Sequence, residues 1–228
     1  MPLTRSFALA AVLILAAEPA LAQTKDHAPV ALKSSTKLTQ DKAASENWTY
    51  FKPGLDLGKY RSVVVEPTAV YDGPDAQFDG ITSTDRTKFA EILTTALGKE
   101  LAGPFPAPAK AGPDTLRLRL TILGAKKTVG GVATATRATT FGLATSALKS
   151  ALGKPGTLTG SVLLAVEAFD GGTGELVAAG IRRRSPDALD IPATLSTTAT
   201  VKAVARDFAE NIRKRLEKAS AAPEPTAP

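Results

Sequence analysis

The sequence predicts an α+β domain: a mixed sheet of about four strands with two amphipathic helices packed on one of its faces. Three observations predict it. Residues 115–123 alternate between apolar and polar side chains. Residues 159–169 and 175–183 are apolar runs joined by the Gly-rich turn Asp170-Gly171-Gly172-Thr173-Gly174. Two longer stretches, 83–101 and 196–218, carry apolar residues at helical spacing and need a sheet to cover.

Taken in order, residues 61–66 (RSVVVE) form a β-branched run stopped by Pro67, which predicts a short strand. In 83–101, Phe89, Ile92, Leu93, Ala96, Leu97 and Leu101 fall on one helical face. Thr82, Ser83 or Thr84 supplies the N-cap, Asp85 suits the first turn, and Gly103-Pro104 ends the helix. In the second strand, Leu116, Leu118, Leu120 and Ile122 face one way, and Arg117, Arg119 and Thr121 the other. With the intervening helix, the first two strands can form a parallel crossover. The third strand is apolar on both faces, with Val162, Leu164 and Val166 set against Leu163, Ala165 and Phe169. In 196–218 the stripe is Val201, Val204, Ala205, Phe208, Ile212 and Leu216. The basic end of that helix (Arg213, Lys214, Arg215, Lys218) complements the negative end of its dipole.

Composition bounds the chemistry. The 228 residues hold 28 Lys plus Arg against 22 Asp plus Glu, a net charge of +6, and 43% are hydrophobic, enough for a core. The absence of Cys excludes disulfides, thiolate metal sites, a Cys nucleophile and an acylated N-terminal Cys, so no lipid anchor is expected. One His argues against His-based triads and multi-histidine metal sites.

Residues 1–22 read as a signal peptide: Arg5, then the apolar stretch 7–17, the breaker Glu18-Pro19, and a signal-peptidase site at Ala20-Leu21-Ala22. That stretch is short of the roughly 20 residues needed to span a bilayer. Cleavage after Ala22 removes one base and one acid, so the charge stays +6. The expected location is periplasmic or secreted. Residues 23–47 are polar and without apolar period, which predicts a disordered lead; 48–218 form the single domain; and 219–228 are a Pro/Ala-rich disordered tail. Within the domain, 129–156 is a loose Thr/Ala/Gly-rich segment. The doubly apolar third strand implies that helices cover one face and that residues 129–152 or another protein cover the other.

Several motifs resemble the bacterial envelope family called domain of unknown function 3313. They are residues 50–57 (YFKPGLDL), 60–67 (YRSVVVEP), 112–119 (GPDTLRLR), 167–170 (EAFD) and 173–176 (TGEL), spread over about 48–218. The resemblance implies an exported envelope protein, often a lipoprotein, with no catalytic residues to transfer. This chain departs from the lipoprotein form in having no Cys. The opening motif also has a structural reading: Pro53-Gly54 turns the chain, Asp56 caps the turn 57–60, and Tyr60 packs at the mouth of the strand.

No catalytic constellation emerges, and no cofactor is expected. His27 lies in the lead, where nothing fixes a partner for it. Asp72, Asp75, Asp79 and Asp85 read as a solvated acidic loop, because they lack the spacing of a calcium loop. A carboxylate-dependent hydrolase would need Glu66 and Glu167 to face each other across a cleft; each is more simply an edge charge paired with a neighbouring Arg. The leading expectation is a non-catalytic binding or adaptor module with an envelope protein as partner. The alternative is a binder of polyanions or lipid surfaces, such as anionic lipid or lipopolysaccharide. In it Arg117, Arg119, Arg182, Arg183 and Arg184 form a basic cluster whose face depends on the hairpin register. Aromatic residues are too few to stack single-stranded nucleic acid, so no nucleic acid is expected.

Overall fold

A computed structural model describes residues 31–41, 47–128, 160–187, 190 and 192–221. Its strands are β1 (Thr39–Gln40), β2 (Trp48–Phe51), β3 (Ser62–Val65), β4 (Ala69–Val70), β5 (Gln77–Asp79), β6 (Thr115–Lys126), β7 (Ser161–Asp170) and β8 (Leu176–Arg184). Its helices are α1 (Ser83–Leu101) and α2 (Thr197–Ser220), the latter preceded by a 3-10 turn at Pro192–Thr194. The chain is thus a mixed α+β domain with one large sheet. The expected signal peptide, the tail beyond 221 and the loose segment 129–156 lie outside the described residues, as does His27.

The sheet has eight strands where about four were expected. Its path is β1-β2-β8-β7-β6-β3, with β4 and β5 also paired to β6. The four strands read from the sequence correspond to β3, β6, β7 and β8. The added ones are two to four residues long, too short for a hydrophobic period to register. Strand β3 runs parallel to β6 with α1 between them, and β4 and β5 continue along the same edge, also parallel. Strands β6, β7 and β8 form an antiparallel meander.

Helix α1 starts where the Thr-Ser-Thr-Asp sequence places it. The Thr82 hydroxyl accepts from the Asp85 amide at 3.1 Å and donates to the Asp85 carboxylate at 2.8 Å, the reciprocal arrangement that closes a helix N-terminus. Ser196 caps α2 by accepting from the Ala199 amide.

The main core gathers Phe89, Leu93, Leu97 and Leu101 of α1 with Val201, Val204, Ala205, Ala209 and Leu216 of α2. It also holds Leu116, Leu118, Leu120, Ile122, Val162 and Leu164 of β6 and β7. The β6 alternation expected from the sequence is therefore realised: its leucines enter this core and Arg117 and Arg119 lie on the opposite face.

That opposite face is covered by something the sequence did not suggest. Residues 31–38, expected to be disordered, lie against it. Leu32 and Leu38 pack on a second cluster of Trp48, Tyr71, Leu123, Leu163, Ala165 and Ile181. Ser34 is buried and its amide donates to Glu167 at 2.8 Å. Lys33 and Lys37 lie over the rings of Phe169 and Tyr50. A polar composition hides this docking because only two leucines do the apolar packing and the rest is a backbone hydrogen bond and lysine stems.

Candidate functional site

Register decides where the basic residues go. Thr121 pairs with Ala165, and Ala165 with Ile181. Side chains alternate between faces along a strand, so Arg183 shares the far face with Arg117 and Arg119, while Arg182 and Arg184 point to the helix side. The expected five-arginine cluster is split two against three.

The far-face arginines are occupied. Glu66, just beyond β3, accepts from Arg117 Nη2 and, at 2.8 Å, from Arg119 Nε. Burial alone would push the Glu66 carboxyl up; the two guanidinium groups override it and hold it below its ordinary range. Arg119 also lies over the Phe169 ring. Arg183 donates to Gln77 Oε1 at 2.6 Å and to Ser161 Oγ at 3.2 Å. Glu66 is thus paired with Arg residues as expected. Glu167 instead is 2% exposed and takes the Ser34 amide, so the two carboxylates do not face a shared cleft.

Two of the four acidic-loop carboxylates are committed, while Asp72 and Asp79 are exposed. Tyr71 donates to Asp75 at 2.6 Å and Asp85 closes the start of α1. No group of three or more metal-ligating side chains occurs among the described residues.

Three of the quoted sequence motifs, 60–67, 167–170 and 173–176, meet by hydrogen bonds at one residue. Asp170 ends β7 and accepts from the amides of Gly172 and Thr173 at 3.0 and 2.9 Å, which fixes the Gly-rich turn. Its other oxygen accepts from Lys59 Nζ at 2.8 Å and from the Tyr60 hydroxyl at 3.1 Å. The Lys59 ammonium and the Thr173 amide outweigh burial and hold the Asp170 carboxyl well below the usual carboxylate range. The expected local roles also appear: Gly54 has φ +69° in the turn, Asp56 accepts from the Gly58 amide, and Tyr60 is 1% exposed. The long-range bond from Tyr60 to Asp170 was not legible, since no spacing rule links residues so far apart in the chain.

On the helix side of the sheet, α2 and strands β2 and β8 enclose a half-open cavity of about 150 Å³. Its floor is apolar: Leu116, Leu118, Leu164, Val166 and Ala168 from β6 and β7, with Ala178 and Gly180 from β8. Small residues at 178 and 180 leave the space, because a Cβ at Gly180 would meet nothing nearer than 3.6 Å. Phe208, Ile212 and Leu216, spaced four apart, form the α2 wall. The polar lining is three guanidinium groups, Arg182 and Arg184 of β8 and Arg215 of α2, with Thr49 and Asn211. Arg184 Nε is buried without a hydrogen-bond partner. Burial, then the charges of Arg182 and Arg215, lower the Arg184 pKa. Arg215 entered the sequence reading only as a partner of the helix dipole; its neighbours Ile212 and Leu216 on the apolar stripe were the available signal that it borders the sheet.

No curated protein is significantly similar in sequence. In three dimensions the chain bears a loose similarity to the PelC dodecamer from Paraburkholderia phytofirmans. The identity is 16%, the TM-score 0.39, and the match covers 75% of this chain and 95% of that one. A protein of Caulobacter crescentus CB15 described as a "putative lipoprotein" gives 15% identity and a TM-score of 0.32, over 74% and 96% of the two chains. The sequence itself matches the family described as "Protein of unknown function (DUF3313)" over residues 30–212. With most of its length matched, the chain belongs to that family.

Proposed function

We propose that this chain is an exported protein of the bacterial envelope, periplasmic after cleavage at Ala22, which works by binding rather than by turnover. The observation that carries the reading is the cavity beneath α2. It is concave and apolar with a few converging polar groups, the usual build of a ligand site. Among the described residues its lining holds no carboxylate, His, Ser or Lys to act as acid, base or nucleophile. The carboxylates considered for hydrolysis support the same reading, since Glu66 serves Arg117 and Arg119 and Glu167 serves Ser34.

The alternative of a polyanion surface on Arg117, Arg119 and Arg183 loses support, because each has a partner close by. An envelope partner protein remains compatible with a binding role and would be found by in-cell cross-linking.

The test uses purified protein and a neutral apolar dye such as Nile red. Saturable one-to-one binding is expected, lost in Gly180→Leu, which fills the cavity from a position with room for a side chain. Ala178→Val serves as a second filling variant should the first fold poorly. Dye binding of equal strength in both folded filling variants, or none in the parent, would overturn the cavity as the site.

A further inference from the structure

We propose that the cavity beneath α2 binds an amphiphilic anion, a single alkyl or acyl chain ending in a carboxylate or phosphate, with the chain on the apolar floor and the head held by Arg182, Arg184 and Arg215. The inference rests on the binding reading above and names the ligand class for that same cavity.

Two halves of the cavity make the case. The floor is built from fully or nearly buried apolar side chains, with Leu116, Leu118 and Leu164 each at most 3% exposed. An apolar hollow of roughly 150 Å³ takes up a benzene-sized group from water, so this one accommodates about six carbon atoms of a chain. The remainder of a longer chain would follow the exposed ring of Phe51, which lies beside the cavity and is 57% exposed.

The other half is charge without a counter-charge. Arg182 and Arg184 lie two residues apart on the helix side of β8, and Arg215 approaches from α2. Three other basic side chains of α2 have partners: Arg213 meets Glu100 and Glu217, Lys214 meets Glu210, and Arg206 meets Asp190 and Asp207. None of the three lining arginines makes an ion pair or hydrogen bond among the described residues. Bringing three guanidinium groups to the edge of an apolar hollow is unfavourable by mutual repulsion and desolvation. Arg184 also holds a buried Nε–H with nothing to receive it. An oxyanion there accepts that donor and relieves the repulsion, and the planar guanidinium fork matches a carboxylate or phosphate in two-point contact. A neutral ligand satisfies the floor and leaves the arginines as they are; a small inorganic anion does the reverse.

The experiment is a calorimetric titration of the purified protein with four ten-carbon probes below their micelle concentrations, and with inorganic phosphate. The probes are decanoate, decyl phosphate, decyl maltoside and decyltrimethylammonium. Decanoate and decyl phosphate are expected to bind one-to-one and roughly tenfold or more tighter than the neutral and cationic chains, with affinity falling as salt rises. Their ratio separates a carboxylate from a phosphate source. Arg182→Ala, Arg184→Ala and Arg215→Ala are each expected to weaken the anionic probes several-fold and leave decyl maltoside unchanged. Gly180→Leu is expected to abolish all four. Thermal melts confirm that the variants fold; Arg184→Lys and Arg182→Lys stand in if truncation disturbs the strand.

Equal binding of neutral and anionic chains overturns the inference and leaves the binding reading intact. Absence of any chain binding overturns both. Phosphate alone matching decyl phosphate reduces the cavity to an inorganic anion site. Binding only to phosphatidylglycerol vesicles transfers the arginines to a membrane surface, and a dimer that Gly180→Leu dissociates assigns the cavity to a second copy; either result overturns the proposal.

Discussion

Asp170→Ala is expected to lower the thermal midpoint by roughly 6–12 °C, corresponding to about 3 kcal/mol in a domain of this size. The substitution removes one carboxylate that receives five hydrogen bonds through its two oxygens, from Lys59, Tyr60, the Gly172 amide, and the amide and hydroxyl of Thr173. The Tyr60 hydroxyl is buried, and leaving a buried donor without an acceptor costs about 1–3 kcal/mol on its own. The turn amides add to that. Asp170→Asn keeps the shape and removes the charge, so it isolates the pH-dependent share. The folded carboxyl ionises below the ordinary range of about 3.9. The unfolded chain therefore binds the proton first as pH falls. Its stabilisation is fully present above about pH 4 and is lost as pH drops through the lower folded value. Melting midpoints of the parent should fall steeply with acidification below pH 4, and those of Asp170→Asn less so. A residual slope is expected in the variant, because Glu66 is also held low by its two arginines. Parallel melting curves for the two proteins across this range would show that Asp170 is not the titrating pin.

Gly124→Ala is expected to destabilise by about 2 kcal/mol, a drop of roughly 4–8 °C, and to release the 67–80 stretch to proteases. Strand β6 carries a register irregularity between Ile122 and Gly124, and there β5 approaches closely. A Cβ on Gly124 would sit 2.5 Å from the Gln77 carbonyl oxygen and 2.9 Å from its carbonyl carbon. Those are backbone atoms, so relief requires β5 to move rather than a side chain to swing. Moving Gln77 also breaks its 2.6 Å bond to Arg183. Gly180→Ala on β8 is the matched control, with contacts no shorter than 3.6 Å; its stability should stay within about 0.5 kcal/mol of the parent. Hydrogen exchange of the β5 amides separates local release from global loss. Unchanged protection in Gly124→Ala would contradict the close approach.

The long elements were legible because each repeats its signal. Six apolar residues in register and a Thr-Asp start placed α1, and four leucine-type residues in alternation placed β6. The short strands were invisible for the converse reason: β4 is two residues long and owes its pairing wholly to the edge that β6 offers. The lead at 31–38 was misread because its docking rests on Leu32, Leu38 and one amide, which look no different from a solvated stretch. The basic cluster illustrates a sharper limit. Arg182, Arg183 and Arg184 are adjacent in the chain, yet two of them line an apolar cavity and the third bonds Gln77 on the other face. Only the pairing of β8 with β7 assigns them, and a single-residue slip would invert the assignment. Arg215 joins them across a separation in sequence that only packing closes.

The short strands along β6 bear on how copies of this protein meet. One margin of the sheet is assembled from three pieces of two to four residues, interrupted by Pro67 and by Gly73-Pro74, and the other ends in the two-residue β1. An unbroken row of free amides and carbonyls is what lets one sheet recruit another chain as its next strand. Among the described residues neither margin offers a run long enough to template such growth, and proline removes a donor from the longer one. Association between copies is therefore directed to side-chain surfaces, where shape and charge select the neighbour, and the backbone is withdrawn from indiscriminate fibre-like pairing during folding.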